Sequence, residues 1–258
     1  MSTSIGAPIE YRLFSDNKPI LINDFLHKKL EINWSGNIFC QKCAKKTKRS
    51  FGQGFCYPCF ISAPEASPCI IKPELCQAHL GIGRDIEFEQ KHHNQPHIVY
   101  MAATDKVKVG VTRDTQAPTR WIDQGANKAI ILAETPNRYL AGVTEVALKS
   151  FYSDKTNWRS MLKNLQDHNI DLEEEKWKCH DLLPSDLQQY FVENDDIIEL
   201  NYPVSHYPEK ITSLNLEKQE NISGILTGIK GQYLMFDEHY VFNVRRHTSF
   251  EIEMITNG

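Results

Sequence analysis

Two Cys-x-x-Cys pairs, Cys40/Cys43 and Cys56/Cys59, stand twelve residues apart in a chain with seven cysteines. Each pair turns two thiolates toward one centre. A short hairpin that brings the second pair back to the first completes a tetrahedral sulfur shell, the donor set that suits Zn2+. The residues between them, Ala44 to Phe55, read as that hairpin: Gly52 and Gly54 ease its turn, and Phe51 and Phe55 supply apolar cover. A redox Cys-x-x-Cys stands alone at the start of a helix in a βαβ unit, and four unrelated buried thiols would not repeat a spacing. The expectation is zinc on Cys40, Cys43, Cys56 and Cys59, in a closed site that holds structure and catalyses nothing.

At 258 residues the chain buries one large core or two modest ones without a disulfide. No apolar run approaches a membrane span, and the start, Met1 to Pro8, has neither the basic n-region nor the apolar core of a secretory signal. Zinc-type thiols without an export signal point to the reducing cytoplasm. The formal net charge of −4 hides an uneven distribution. Segment 40–60 carries Lys42, Lys45, Lys46, Lys48 and Arg49 with no acid, and 91–165 has eleven Lys/Arg against six Asp/Glu. Segment 166–200 has eleven acids against Lys176 and Lys178. The basic parts coincide with the motif-bearing parts, which suits a phosphate-backbone ligand. The plainer alternative is a solvated face balanced by an acidic helix.

The periodicity divides the chain into five segments. Residues 1–39 alternate as strands, with runs at Ile9–Phe14, Pro19–Ile22 and Lys29–Trp34 and a turn at Ser35-Gly36. Residues 40–96 form a zinc-binding module, of which 61–96 is rich in Pro, Cys, His and Gly and has no sustained period. Such a stretch needs a staple. Cys69, Cys76, His79, His92 and His93 supply donors for a second zinc, with Cys69, Cys76, His79 and His93 the preferred set. Buried thiols with exposed imidazoles are the alternative. Residues 97–165 read β-β-α-β-α-α: strands at His97–Ala103, Val107–Thr112 and Ala129–Ala133, and a helix from Pro118 to Gln124 stopped by Gly125. A helix opened by Pro136 carries Leu140, Val143, Thr144 and Leu148, and Thr156 caps another. Residues 166–206 are acidic and mostly helical, broken at Leu183–Ser185. Residues 207–258 return to strands at Lys210–Leu216, Gly224–Ile229, Gln232–Phe236 and Tyr240–Val244, with a bulge or bend at Gly228 and Gly231. Strand-like chain ends suggest one shared small sheet or barrel.

The chain as a whole resembles a prokaryotic family of unknown function, through the double Cys-x-x-Cys followed by several long strings. These are Lys72-Pro-Glu-Leu-Cys76, Lys108-Val-Gly-Val-Thr-Arg113, Arg120-Trp-Ile-Asp-Gln-Gly-Ala126, Asp154-Lys-Thr-Asn-Trp158 and Gly228-Ile-Lys-Gly-Gln-Tyr-Leu234. Relatives carry Cys where this chain has Gly83 and His93, a departure that bears on the second zinc. Residues 97–158 resemble the GIY-YIG nuclease core. Ile98-Val-Tyr100 stands for its first motif, Lys108-Val-Gly110 for its second, and Arg120, Glu145 and Asn157 fall in the places of its Arg, Glu and Asn. The resemblance implies an α+β fold with that core beside the zinc hairpin and the terminal strands. It further implies Glu145 as the protein ligand of a Mg2+ or Mn2+ that keeps most of its waters, Arg120 as a phosphate clamp, and Tyr100 as the base for water. Lys108, standing where the family has Tyr, would lower the Tyr100 pKa or neutralise phosphate. Each of these residues also has an ordinary structural reading, and Asn157 reads first as part of a helix-start turn and only then as catalytic.

Three functions follow as expectations. The first is a zinc-containing, metal-dependent nuclease acting on DNA or RNA. The second is a non-catalytic nucleic-acid-binding module whose basic hairpin grips backbone and stacks bases on Phe51, Phe55 and Tyr57. The third is a protein–protein adaptor that docks a basic partner through 166–200.

Overall fold

A computed structural model describes residues 1–15, 18–152, 157–165, 167 and 170–256. The chain is a mixed α and β protein that forms two compact units, one from residues 1–61 and 201–258, the other from 62–200.

The first unit starts with β1 (Ser2–Ser4), β2 (Glu10–Ser15) and β3 (Lys18–Leu21), an antiparallel sheet in that order. Ile9, Tyr11 and Ile22 are its fully buried anchors. The Asn23 side chain ties them together, donating to the Ile9 carbonyl at 2.9 Å and accepting from the Tyr11 amide at 2.8 Å. β4 (Lys29–Ile38) turns Leu30 and Ile32 inward. The turn expected at Ser35-Gly36 is absorbed within this strand, where Gly36 takes φ 79° and the chain runs on to Ile38. A short helix, α1 (Tyr57–Ser62), follows the cysteine hairpin.

The second unit opens with four 3-10 turns between Pro64 and Leu80, then α2 (Ile86–His92), a helix without a sequence period long enough to announce it. Its start is local chemistry: the Asp85 carboxylate accepts from the Phe88 amide at 3.0 Å. β5 (His97–Ala103) and β6 (Val107–Arg113) form the expected hairpin, with Tyr100 opposite Gly110 and Ala102 opposite Lys108. α3 (Ala117–Asp123) has Pro118 in its first turn and stops before Gly125, as its sequence dictates. β7 (Lys128–Thr135) pairs with the other edge of β5. α4 (Arg138–Leu148) begins after Pro136, because Asn137 is the cap and accepts from the Leu140 amide at 3.0 Å. α5 (Trp158–Leu162) is capped by Asn157, while Thr156, the expected cap, lies outside the described residues. α6 (Leu172–Leu182) and α7 (Ser185–Gln188) provide the acidic helices. Beyond them the chain is extended, with Phe191 bridged to Ala133 and β8 (Ile198–Glu199) added to the edge of β7.

This sheet has the order β6-β5-β7-β8, every neighbouring pair antiparallel. β5 is buried along its whole length. Val99 and Met101 on one face pack with Ala141 and Leu148 of α4 and Leu172 and Cys179 of α6. Tyr100 meets Trp121 of α3, ring centroids 5.9 Å apart.

The chain then returns to the first unit as β9 (Thr212–Leu214), β10 (Asn221–Lys230), β11 (Tyr233–Phe236), β12 (Tyr240–Asn243) and β13 (Phe250–Thr256). With β4 they make one sheet of order β13-β4-β10-β11-β12-β9. β4 lies between β10 and β13, so strands from both ends of the chain do share a sheet; it is open, with β13 and β9 at its edges. The register shifts between Leu226 and Gly228, where the glycines suggested a bulge. Among the described residues no helix is long and apolar enough to cross a membrane.

Candidate functional site

In the first unit the hairpin closes through paired bridges, Phe39 to Lys46 and Phe51 to Phe55, and so returns Cys56 and Cys59 to Cys40 and Cys43. One ligand atom from each of the four lies within 4.8 Å of every other. The Cys43 and Cys56 sulfurs are 3.8 Å apart. Tetrahedral Zn–S bonds of about 2.3 Å put sulfurs roughly 3.8 Å apart, so the quartet fits such an ion. The electrostatics of the bare quartet are in conflict. Burial resists ionisation of Cys40, but amides of Cys56, Cys43 and Lys42 donate to it, and its thiol is lowered to about 6. Cys59 is pushed up to about 12, first by its hydrogen bond with Cys56. A divalent cation removes that conflict by taking all four as thiolates. These four cysteines are close enough together to hold a structural metal such as zinc. Beside them a shallow cleft is lined by Lys45, Lys46, Lys48, Arg49, Phe51 and Tyr57.

The second unit holds another donor group, Cys69, Cys76, Glu89 and His93, all buried and all within 4.8 Å of one another. Cys69 and Cys76 come from consecutive 3-10 turns, each begun by a proline, at Pro68 and Pro73. Glu89 and His93 are one turn apart at the end of α2, and the Glu89 carboxylate is hydrogen-bonded to His93 Nδ1. Cys69 Sγ lies 3.8 Å from that nitrogen. Cys76 is lowered to about 4, chiefly by the hydrogen bond from Cys69, whose own thiol is raised in turn. Here the expected ligand set is corrected. His79 is not in the group: its ring stacks on Tyr139 at 4.7 Å, and Glu89 stands in its place. The alternative donor His92 instead pairs with the Arg113 guanidinium at 2.9 Å. Glu89 was missed because spacing rules look for Cys and His. Its position four residues before His93 was the available signal.

A pocket of about 230 Å³ opens beside the same turns. Its lining includes Arg120 and Gln124 from the end of α3, Gly110 from β6, and Glu145 and Lys149 from α4. Residues 70–74 form the facing wall. Arg138, Gly142, Glu145 and Lys149 recur at intervals of four, three and four, so they share one face of α4. Two devices fix the wall to that face. Arg138 donates to the carbonyls of Cys69 at 2.9 Å and Ile70 at 3.0 Å. Gly142 lets the backbone of Pro73 and Glu74 approach so closely that a Cβ there would lie 2.7 Å from the Pro73 Cβ.

Of the residues singled out by sequence, Arg120 and Glu145 line this pocket, and Tyr100 lies buried behind Gly110 of its wall, where it interacts with Arg120. Tyr100 is fully buried, and its hydroxyl donates to Gln124 Oε1 at 2.9 Å. Burial pushes its phenol up to about 12, against the opposing charge of Arg120 and in line with that of Glu145. Lys108 does not line the pocket. It is 3 % exposed, its ammonium has no hydrogen-bond partner among the described residues, and burial lowers it to about 8. Asn157 stands apart as the cap of α5, accepting from the amides of Arg159 at 3.1 Å and Ser160 at 3.3 Å. Sequence reasoning gave no role to Gln124, although it lies in the string Arg120–Ala126, and missed Arg138 and Lys149, which lie in no motif. Lys72, Arg120, Arg138 and Lys149 against Glu74 and Glu145 leave the lining net cationic, the polarity that receives a phosphate.

No curated protein matches this chain, and no solved structure does. A family model described as "Protein of unknown function (DUF2797)" matches residues 27–252, most of the chain. The protein therefore belongs to the DUF2797 family.

Proposed function

We propose that the second unit binds nucleic acid and cleaves its phosphodiester backbone at the pocket lined by Arg120 and Glu145, in the manner of a GIY-YIG nuclease, while zinc on Cys40, Cys43, Cys56 and Cys59 staples the hairpin of the first unit. The observation that carries the reading is one cationic pocket lined by Arg120 and Glu145 from two helices, with the buried Tyr100 beneath Gly110 of its wall. The element order β5-β6-α3-β7-α4-α5 supports it as well. Glu145 is a half-buried residue whose carboxylate belongs to the pocket lining, which suits a Mg2+ or Mn2+ held by one protein oxygen and its own waters. Such an ion supplies charge neutralisation and an acidified water. Arg120 grips the phosphate through its guanidinium fork. Tyr100 stays protonated at neutral pH and orients Arg120 and Gln124, so it acts as a positioning group and not as the base expected from the resemblance. The test is incubation of the protein with end-labelled DNA and RNA, with and without Mn2+. Products that form only with the ion support cleavage, and intact substrate under every condition refutes it.

A second reading, binding without cutting, is favoured by one specific observation. The position that carries tyrosine in the second GIY-YIG motif is Lys108, and its side chain is buried outside the pocket. Retained, salt-sensitive binding with no products would select this reading.

A further inference from the structure

We infer that Cys69, Cys76, Glu89 and His93 form a second zinc site, with the Glu89 carboxylate as its oxygen ligand. Two thiolates, an imidazole and a carboxylate are a complete tetrahedral set for Zn2+, with no position left open for substrate. All four residues are buried, and their donor atoms lie within 4.8 Å of one another, as ligands of one ion must. Without an ion the arrangement is costly. A carboxylate on a residue that is 3 % exposed faces two thiols, with the His93 imidazole as its hydrogen-bond partner, and taking a charge out of water is costly even when it is paired. The charge of Arg138 acts on Cys69, but its guanidinium donates to the carbonyls of Cys69 and Ile70.

Gly83 supplies an independent observation. A Cβ at residue 83 would lie 2.7 Å from the Glu89 Cδ and 2.9 Å from its Oε1. The missing side chain is therefore the space through which the Glu89 carboxylate reaches the cluster. Phe88 packs edge-on against the His93 ring at 5.7 Å. The ion would also fasten residues 70–74, the wall of the pocket, since Cys69 and Cys76 bracket that segment. The site thus serves the pocket without taking part in its chemistry. The claim rests on metal content alone, whatever the pocket does to nucleic acid.

The experiment is elemental analysis of the full chain purified without chelators, together with two paired variants. The expected result is two zinc ions per chain, falling to one in Cys40→Ser/Cys43→Ser and to one in Cys69→Ser/Cys76→Ser. Cobalt loaded into the first variant should show thiolate-to-cobalt absorption about half that of a four-thiolate site. Glu89→Gln, which keeps the shape, should weaken zinc at this site about ten-fold or more against a chelating dye. A single zinc in the wild-type chain overturns the second site, and this readout needs no variant to fold. Unchanged affinity in Glu89→Gln overturns the assignment of the ligand.

Discussion

The hydroxyl of Tyr100 lies beneath Gly110: a Cβ at residue 110 would sit 2.6 Å from that oxygen and 2.8 Å from Cζ. The two residues face each other across β5 and β6, so the missing side chain is what lets a fully buried tyrosine reach Gln124. Gly110→Ala should cost about 1–3 kcal/mol through overpacking, measured by urea unfolding. The loss should shrink in a Tyr100→Phe background, where the colliding oxygen is gone. Equal losses in both backgrounds would show that the glycine serves something else.

Gly142 makes an opposite prediction from helix propensity. In an exposed helix interior, Gly→Ala gains about 1 kcal/mol. Here the added methyl collides with the backbone of Pro73 and Glu74, which cannot swing away as a side chain end would. Gly142→Ala should therefore lose about 2 kcal/mol, and proteolysis should report loosening first around residues 70–75.

Asn157 separates a structural role from a catalytic one. Its side chain accepts from two amides at the start of α5 and is absent from the pocket lining. Asn157→Ala should cost about 1 kcal/mol of stability as a lost cap, and Asn157→Asp should restore it. Nucleic-acid cleavage per folded molecule should be unchanged in both.

Much of this was legible in the sequence, for physical reasons that differ by element. The β5–β6 hairpin and α3 carry their own signals, β-rich runs around Thr104-Asp105-Lys106 and then Pro118 and Gly125, so their positions agree with the structure. α2 was missed because two turns are too few to show a period, and its start depends on a single carboxylate, Asp85. β13 was missed as a separate strand because its pairing is with β4, over two hundred residues away, and no local signal reports that. Arg120 and Glu145, singled out by order along the chain, line one pocket, whereas Tyr100 and Lys108, placed by the same argument, are buried outside its lining. Side-chain alternation puts Lys108 on a neighbouring β6 position, but burial there decides its fate and the sequence cannot report it.

Lys108 gives stability a pH dependence. Its folded-state value is lowered to about 8 by burial, while an unfolded lysine sits at about 10.4. Between those values the unfolded chain holds a proton that the folded chain has released, so stability rises with pH across that window. Below about 8 the penalty of a buried ammonium is fully felt. Lys230, lowered to about 7 by burial, acts in the same direction. Lys108→Met should raise stability at neutral pH by about 2 kcal/mol and flatten, without abolishing, the rise between pH 8 and 10. Denaturation midpoints at several pH values check this. A destabilised variant with an unchanged pH slope would contradict it.

Cleavage by the Glu145→Gln variant tests the pocket reading most directly. Glutamine keeps the size of the side chain and removes the charge that would hold the ion. The wild-type protein should nick labelled DNA or RNA only with Mg2+ or Mn2+. Glu145→Gln should lower that rate about a hundred-fold or more, with an unchanged melting temperature and with salt-sensitive binding largely retained through Arg120, Arg138 and the lysines. Cleavage that persists in Glu145→Gln at the wild-type rate would contradict the account, as would a wild-type protein that binds nucleic acid and never cuts it.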